Sequence, residues 1–203
     1  MKSILSIATL FAGTLVVSQA AVFSFDSDTT VNIYTGPVLG SSIQIGFGVQ
    51  EDILDAFGSS TGRNRWVFDA APIDPITADP TSQGYSPGGS FLNAFNQTAL
   101  VSFGPAFNLM SFSIFMDGST FGSTSSVEFY NANDDLITSL DALGLVANYE
   151  VTGSNISGVS KIVLPVGAFF DNMTLSGSAV PEPSAVMLLG LASLSFVAHR
   201  RRA

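Results

Sequence analysis

The segment Asn108-Leu109-Met110-Ser111-Phe112-Ser113-Ile114-Phe115-Met116 decides the fold class of this chain of 203 residues. The even-numbered positions from 110 to 116 are apolar, namely Met110, Phe112, Ile114 and Met116. The odd-numbered positions 111 and 113 between them are serines. Side chains of a β-strand point alternately to opposite faces, so a period of two predicts one buried and one solvated face. The segment is therefore predicted to be a half-buried strand.

Similar short apolar segments recur along the chain between Gly, Pro, Asn and Asp turn residues. No amphipathic helix of normal length separates them, and Glu51–Phe57 predicts a helical turn or two at most. Asn131–Asp135 is predicted to be a hairpin turn. Strands at this spacing favour a single all-β sandwich. The further predicted strands are Val22–Phe25, Val31–Tyr34, Ile43–Val49, Arg65–Phe68, Ala99–Phe103, Ser126–Asn131, Leu136–Ser139, Asn148–Thr152, Lys161–Leu164 and Ala168–Leu175.

A Pro- and Gly-rich connection over Ala70–Ser90 interrupts the strand pattern. Loops longer than about 12–15 residues are uncommon in compact domains. The connection is expected either to carry function or to cover a sheet edge.

The first twenty residues have the features of an export signal. Lys2 gives a positive start, Ile4–Val17 is apolar, and Ser18-Gln19-Ala20 places small residues at a processing site. Residues 1–20 are predicted to be a signal peptide cleaved between Ala20 and Ala21. The alternative is an uncleaved N-terminal anchor, for which the apolar segment is short.

The C-terminal segment, residues 180–203, has three parts in order: Pro181-Glu182-Pro183, an uncharged stretch over Ala185–Ala198, and Arg200-Arg201-Arg202. Fourteen residues of helix cover roughly 21 Å, less than the hydrocarbon core of about 30 Å. This length predicts a short, transient transmembrane helix, with the arginines as the membrane stop on the cytoplasmic side. The alternative is a helix packed on the body, for which the segment lacks a polar face.

Pro181-Glu182-Pro183, the apolar stretch and the terminal arginines together resemble the PEP-CTERM sorting domain. The resemblance implies recognition by an exosortase, a membrane protease that cuts close to the Pro-Glu-Pro motif. It also implies export to the surface or extracellular matrix of a Gram-negative bacterium that makes polysaccharide and biofilm. Signal peptidase is the second processing enzyme expected.

A second resemblance covers Ser126–Ser139, Lys161–Leu164 and the closing strand Phe169–Leu175. These segments look like the C-terminal half of jelly-roll domains, similar to galactose-binding and carbohydrate-binding modules. The resemblance implies a jelly-roll-like sandwich over residues 21–179 and a polysaccharide as a possible partner.

The body at residues 21–179 is strongly acidic. It has three cations, Arg63, Arg65 and Lys161, against fifteen carboxylates, a net charge of −12. Such a surface argues against nucleic acid as a partner and is compatible with divalent cations or neutral glycans. The chain has no cysteine, and its one histidine, His199, lies beyond the apolar stretch of the tail. The body therefore lacks residues for a Ser-His-Asp triad, a thiol nucleophile or a His/Cys zinc site.

Calcium is the cofactor that the acidic turns suggest, because hard cations take several oxygen ligands. Asp26 and Asp28 follow the first strand and Asp171 lies on the last, so the three meet if the terminal strands are neighbours. The alternative is ordinary turn chemistry, in which Asp side chains bond their own backbone.

Trp66 follows Arg63, Asn64 and Arg65, and this is the one cluster that combines an aromatic ring with planar polar side chains, as a glycan site needs. Tyr85 in the long loop is a second aromatic candidate. The alternative is that Trp66 belongs to the core.

These observations predict a non-enzymatic exported protein with a structural or interaction role. Carbohydrate binding is the first alternative, and a glycoside hydrolase with two carboxylates is the second. The carboxylates available to such a hydrolase are Glu51, Asp52, Asp55, Glu128, Asp134 and Asp135.

Overall fold

A computed structural model describes residues 19–23, 33–38, 41–70, 77–78, 91–94, 97–117, 125–142 and 149–180. These ranges contain strands and turns and no helix, which confirms the predicted all-β class. Every strand pair is antiparallel. The strands are β1 (Gln19–Phe23), β2 (Ile33–Val38), β3 (Ser41–Leu54), β4 (Ser60–Phe68), β5 (Thr77–Ala78), β6 (Phe91–Ala94), β7 (Ala99–Asp117), β8 (Ser125–Tyr130), β9 (Leu136–Ala142), β10 (Tyr149–Leu164) and β11 (Ala168–Ala179).

The two long strands β7 and β10 run side by side and contribute to both layers of the fold. The first part of β7, residues 99–104, pairs with β3, whereas residues 107–117 pair with β11. The end of β10 likewise pairs with β8, which pairs with β9. β7 changes neighbour at Gly104-Pro105, a cis peptide, and β10 shifts register between Ile156 and Lys161. We call the part containing β3, β8 and β9 the first layer and the part containing β11 the second layer.

The two layers face each other across one core. Phe129 of β8 pairs with Ile162 and Phe112 of β7 pairs with Gly153, nine residues away on β10. Nine residues of straight strand extend about 30 Å, yet the two phenyl rings meet edge to face with centroids 5.2 Å apart. The sheet therefore folds back on itself, and the rings belong to opposite layers of a sandwich.

The terminal strands are neighbours, as the calcium hypothesis requires. β1 pairs with β11, with Ala21 opposite Leu175 and Phe23 opposite Met173. The last residue of β1, Phe23, is thus opposite a position only two residues beyond Asp171 on β11. Asp26 and Asp28 lie outside the described residues.

The alternation predicted for Asn108–Met116 is correct except at Met110. Phe112, Ile114 and Met116 are buried, but Met110 is 56% exposed. The register between β7 and β11 shifts where Ser176 and Gly177 oppose Ser111 and Leu109. Met110 is thus an additional residue in a β-bulge, so it points outward together with Ser111 and the inward position passes to Leu109.

The helical turn predicted at Glu51–Phe57 is wrong. Glu51 and Asp52 lie in β3 opposite Arg65 and Asn64, so their backbone groups bond across the sheet. A tight turn follows, in which the Asp55 carboxylate accepts hydrogen bonds from the backbone N–H groups of Phe57 (2.8 Å) and Ser59 (2.9 Å).

The remaining strand predictions differ mainly in length. Ala99–Phe103 and Asn108–Met116 are one strand, and the described part of Asn148–Thr152 forms one strand with Lys161–Leu164. The hairpin turn at Asn131–Asp135 is confirmed: Asn131 Oδ1 accepts hydrogen bonds from the backbone N–H groups of residues 133 and 135.

Several predicted segments lie outside the described residues. They are residues 1–18 of the signal peptide, most of the Ala70–Ser90 connection, and the tail from Pro181 to Ala203. Among the residues that are described, no helix has the length and apolar character needed to cross a membrane.

Candidate functional site around Trp66

A hairpin arm, residues 48–68, leaves the first layer and folds over its outer face. β3 and β4 pair with each other along the arm, from Gly48 opposite Phe68 to Leu54 opposite Ser60. Trp66 lies near the base of β4, opposite Gln50 of β3. A side chain at Gly48 would place its Cβ 2.9 Å from Leu100 and 3.4 Å from the Trp66 ring, so glycine permits this close approach.

The outer face is formed by strand residues of opposite parity to the core. Leu100, Glu128 and Val163 alternate with buried core residues on β7, β8 and β10. Leu100 and Val163 are themselves buried, at 1% and 4% exposure, although they do not belong to the main core. The arm therefore creates a second, smaller buried region on the outside of the sheet.

Hydrogen bonds from Lys161 and to Asp134 hold the backbone of Trp66 against this face. The Lys161 ammonium donates to the carbonyl of Trp66 (2.8 Å) and to the Asp134 carboxylate. The backbone N–H of Trp66 donates to the same carboxylate (3.3 Å). The side chains of Lys161 and Asp134 are only 17% and 11% exposed, so this pair is shielded from solvent.

The two arginines of the arm form ion pairs nearer the solvent. The Arg63 guanidinium bonds the Asp135 carboxylate and the carbonyl of Asn133. Arg65 pairs with Glu51 across the arm at 3.1 Å, and both side chains are about half exposed. Each of the three cations in residues 21–179 is therefore held in an ion pair on or against the arm.

Glu128 and Tyr130 lie beside Trp66 on the outer face of β8. The Tyr130 hydroxyl donates to Glu128 Oε2 at 2.6 Å. Burial raises the pKa of the Tyr130 phenol, and the hydrogen bond to Glu128 adds to the increase. The Trp66 indole lowers that pKa by a smaller amount, but its Nε1 does not reach hydrogen-bond geometry and is buried without a partner in the described part of the chain.

A pocket of about 290 Å³ opens between the arm and the outer face. Trp66 and Val163 line it together with the Pro165–Val166 turn, and Thr98, Ser126 and Glu128 supply polar groups. The Ser126 hydroxyl is 3.5 Å from Glu128 Oε1, the limit for a hydrogen bond, so this oxygen is weakly bonded. The pocket thus joins an aromatic wall, an aliphatic wall and a carboxylate.

The structure separates the residues grouped in the predicted glycan site. Trp66 is partly buried at the pocket, whereas Arg63 and Arg65 are directed to ion pairs with Asp135 and Glu51. Tyr85 lies outside the described residues. Involvement of Arg63, Arg65 and Tyr85 in ligand binding stays a prediction.

Sequence reasoning does not group the pocket residues Ser126 and Glu128 with Tyr130, which bonds Glu128. Ser126, Glu128 and Tyr130 alternate with Val127 and Phe129, so period-two spacing places them on one face of one strand. That spacing was the available signal. Their proximity to Trp66 depends on the fold of the arm, which lies sixty residues earlier in the chain.

Asp171 is buried at 2% exposure and accepts hydrogen bonds from the backbone N–H of Asn172 (2.7 Å) and from its side-chain amide (3.2 Å). Within the described ranges no group of three His, Cys, Asp or Glu residues is close enough to hold a metal ion. The calcium site with Asp26 and Asp28 stays a prediction.

Five of the six carboxylates that the sequence offers a hydrolase make separate structural contacts. Asp55 caps the tip of the arm, while Glu51, Asp134 and Asp135 pair with Arg65, Lys161 and Arg63. Asp52 is exposed on the arm, and Glu128 bonds Tyr130.

Comparison with known proteins identifies the C-terminal segment. Residues 179–202 match the PEP-CTERM protein-sorting motif. No curated protein and no solved structure matches the chain. The chain carries a PEP-CTERM sorting motif, which indicates an exported protein of the cell envelope or surface that an exosortase processes.

Proposed function

We propose that this protein is a non-enzymatic component of the surface or extracellular matrix of a Gram-negative bacterium. Signal peptidase releases the N-terminus, the tail holds the chain transiently in the inner membrane, and an exosortase then separates body from tail. The β-sandwich is the part that acts outside the cell.

The junction between body and tail is the observation that carries this proposal. β11 ends at Ala179, and the backbone N–H of Val180 still bonds the carbonyl of Ala106 at 2.7 Å. The matched motif starts at residue 179, where the last strand stops. Cleavage next to Pro181 therefore removes the tail without cutting a described strand.

The charge of the body supports an extracellular interaction role. Its net charge of −12 repels other polyanions and maintains solubility. Its three cations are engaged in intramolecular ion pairs, so they are not arranged as a basic surface. Histidine and cysteine, the residues of many hydrolytic centres, do not occur in residues 21–179.

Mass spectrometry of the protein from its host tests the export route at both ends. We expect a mature N-terminus at Ala21 and a C-terminus next to Pro181. Replacing Pro181, Glu182 and Pro183 with alanine should leave the tail attached and the protein in the membrane fraction. Wild-type protein found in the cytosol with both ends intact would contradict the proposal.

Carbohydrate binding is the second candidate function, and the pocket at Trp66 favours it. An aromatic wall beside polar side chains is a common arrangement in small-ligand sites. A glycan array with extracellular polysaccharides checks this function, with Trp66→Ala as the test variant and Phe57→Ala as the control. Phe57 is 94% exposed at the tip of the arm, so its removal changes an aromatic residue away from the pocket.

A further inference from the structure

Glu128 is a carboxylate at the pocket without an ion pair among the described residues. Its Oε2 accepts the hydrogen bond from Tyr130, whereas Oε1 has only the long contact to Ser126. The three cations of residues 21–179 pair with other carboxylates. The protein thus places a partly buried anion at the pocket wall and does not neutralise it from within the body.

The other walls of the pocket suit an organic cation. Trp66 gives an aromatic surface, and aromatic rings attract ammonium groups through their quadrupole. Val163 and the Pro165–Val166 turn can contact the hydrocarbon part of the same molecule. A metal ion needs several oxygen ligands, whereas this pocket has one carboxylate and two hydroxyl residues.

We propose that the Trp66 pocket binds the ammonium group of a small organic molecule, with Glu128 as its counter-ion and Trp66 as its aromatic wall. A volume of about 290 Å³ lies at the small end of ligand sites and fits a quaternary amine or one amino-sugar ring. The overall negative charge of the body raises the local concentration of cations. This inference concerns the pocket and does not depend on the export route.

The polar chain on β8 explains how Glu128 stays oriented. The Tyr130 hydroxyl donates to Oε2 and stays neutral at physiological pH, so it orients the carboxylate without neutralising it. Oε1 remains available to accept a hydrogen bond from an N–H donor or to lie beside a methylated ammonium. Charge-assisted hydrogen bonds of this kind are stronger than neutral ones.

The protein contains its own probe, because Trp66 is its one tryptophan. We would titrate the full-length protein with tetramethylammonium, glucosamine, N-acetylglucosamine and glucose and follow tryptophan fluorescence. Glucosamine and glucose have the same ring and differ only at C2, where one has an ammonium and the other a hydroxyl of similar size, so their comparison isolates the ammonium group. N-acetylglucosamine removes the charge but adds an acetyl group. We expect saturable changes with tetramethylammonium and glucosamine, with the two neutral sugars at least about tenfold weaker.

Glu128→Gln removes the charge, keeps the size and leaves an oxygen that can accept the Tyr130 hydrogen bond. It should lower the affinity for tetramethylammonium and for glucosamine at least about tenfold. Glu150→Gln, on the exposed part of β10, makes the same charge change away from the pocket and should alter affinity less than about twofold.

The outcomes separate this inference from the proposed functions. Equal binding of neutral and cationic sugars would support carbohydrate binding and overturn the ammonium site. No saturable response to either cation would also overturn it, and so would unchanged affinity in a folded Glu128→Gln variant. None of these results bears on whether the tail is processed.

Discussion

The inner and outer faces of the first layer are stabilised in different ways. The inner face is apolar, and Asp171, the one polar residue found buried in the described structure, lies on β11 of the second layer. The outer face is covered by the arm and combines Leu100 and Val163 with the Lys161–Asp134 pair, Glu128 and Tyr130. One face depends on burial, and the other depends on a few directional contacts around one tryptophan.

This difference indicates where function can reside. The inner face has no accessible polar group with which to recognise a ligand, and its close packing leaves little room for change. The outer region has a pocket, a carboxylate without an ion pair among the described residues, and a hairpin that a few hydrogen bonds and ion pairs hold against the sheet. We expect substitutions on the inner face to alter global stability and those on the outer face to alter the arm and the pocket.

The largest effect is expected for Phe112→Ala. This fully buried ring packs against Phe129 across the two layers, so its removal should lower the free energy of unfolding by about 4 kcal/mol. Chemical denaturation followed by circular dichroism measures the change.

Phe57→Ala is the matched control for Phe112→Ala, because it makes the same chemical change at a residue that is 94% exposed. It should shift stability by less than about 0.5 kcal/mol. Similar losses in the two variants would contradict the assignment of the core to the inner faces.

Gly177→Ala should destabilise the protein by about 3 kcal/mol. Gly177 has φ 155°, and a Cβ there would lie 2.0 Å from the Asn108 carbonyl oxygen beside the β7 bulge. Gly158→Ala separates backbone strain from steric clash, since Gly158 has φ 72° with open space around it. It should cost about 1 kcal/mol, because a residue with a Cβ is strained in the left-handed region. Thermal melts measure the two losses. A larger loss in Gly177→Ala than in Gly158→Ala would show that the steric clash contributes more than the backbone strain.

Lys161→Met removes the ammonium that holds Trp66 and Asp134 while keeping a long apolar side chain. Loss of this shielded pair should cost about 2 kcal/mol and move Trp66 emission to longer wavelength as the arm loosens. Arg65→Met breaks a half-exposed pair and should cost about 0.5 kcal/mol or less, with unchanged emission. A red shift of Trp66 emission in Arg65→Met but not in Lys161→Met would show that the Lys161–Asp134 pair does not hold the arm against the sheet.

We expect the ionisation of Tyr130 to cause a small loss of protein stability at alkaline pH. Burial raises the pKa of its phenol above 10.0 in the folded protein, so the folded state retains this proton more tightly than the unfolded state does. Its contribution is therefore complete below about pH 10 and is lost as pH rises toward the folded pKa. Tyr130→Phe should flatten this part of a melting-temperature profile, and an identical alkaline slope in both proteins would contradict the assignment.

Much of the inner face could be predicted from the sequence, because burial on one side of a strand produces a period of two. Phe112, Ile114 and Met116 follow this rule. Met110 departs from it because a bulge depends on the partner strand, which lies sixty-seven residues away at Gly177. Local spacing does not contain that information.

The outer region was less predictable for the same reason. Glu51–Phe57 has helical spacing of apolar residues, but cross-strand pairing with β4 makes its first half a strand. The polar neighbours of Trp66 single it out in the sequence, yet Arg63 and Arg65 bond Asp135 and Glu51. The residues that meet it at the pocket, Thr98, Glu128 and Val163, come from three different strands or their ends.

Hydrogen–deuterium exchange of wild-type and Lys161→Met protein tests the contrast between the two regions most directly. Amides in residues 107–117 and 169–179 should exchange slowly and equally in both proteins when conditions are matched for global stability. Residues 60–68 should exchange faster than these strands in the wild type and faster still in the variant, because the arm opens on its own. If the arm and the inner strands had the same exchange free energy in the wild type, and if both changed by the same amount in Lys161→Met, the arm would not open independently of the core. That result would contradict the account.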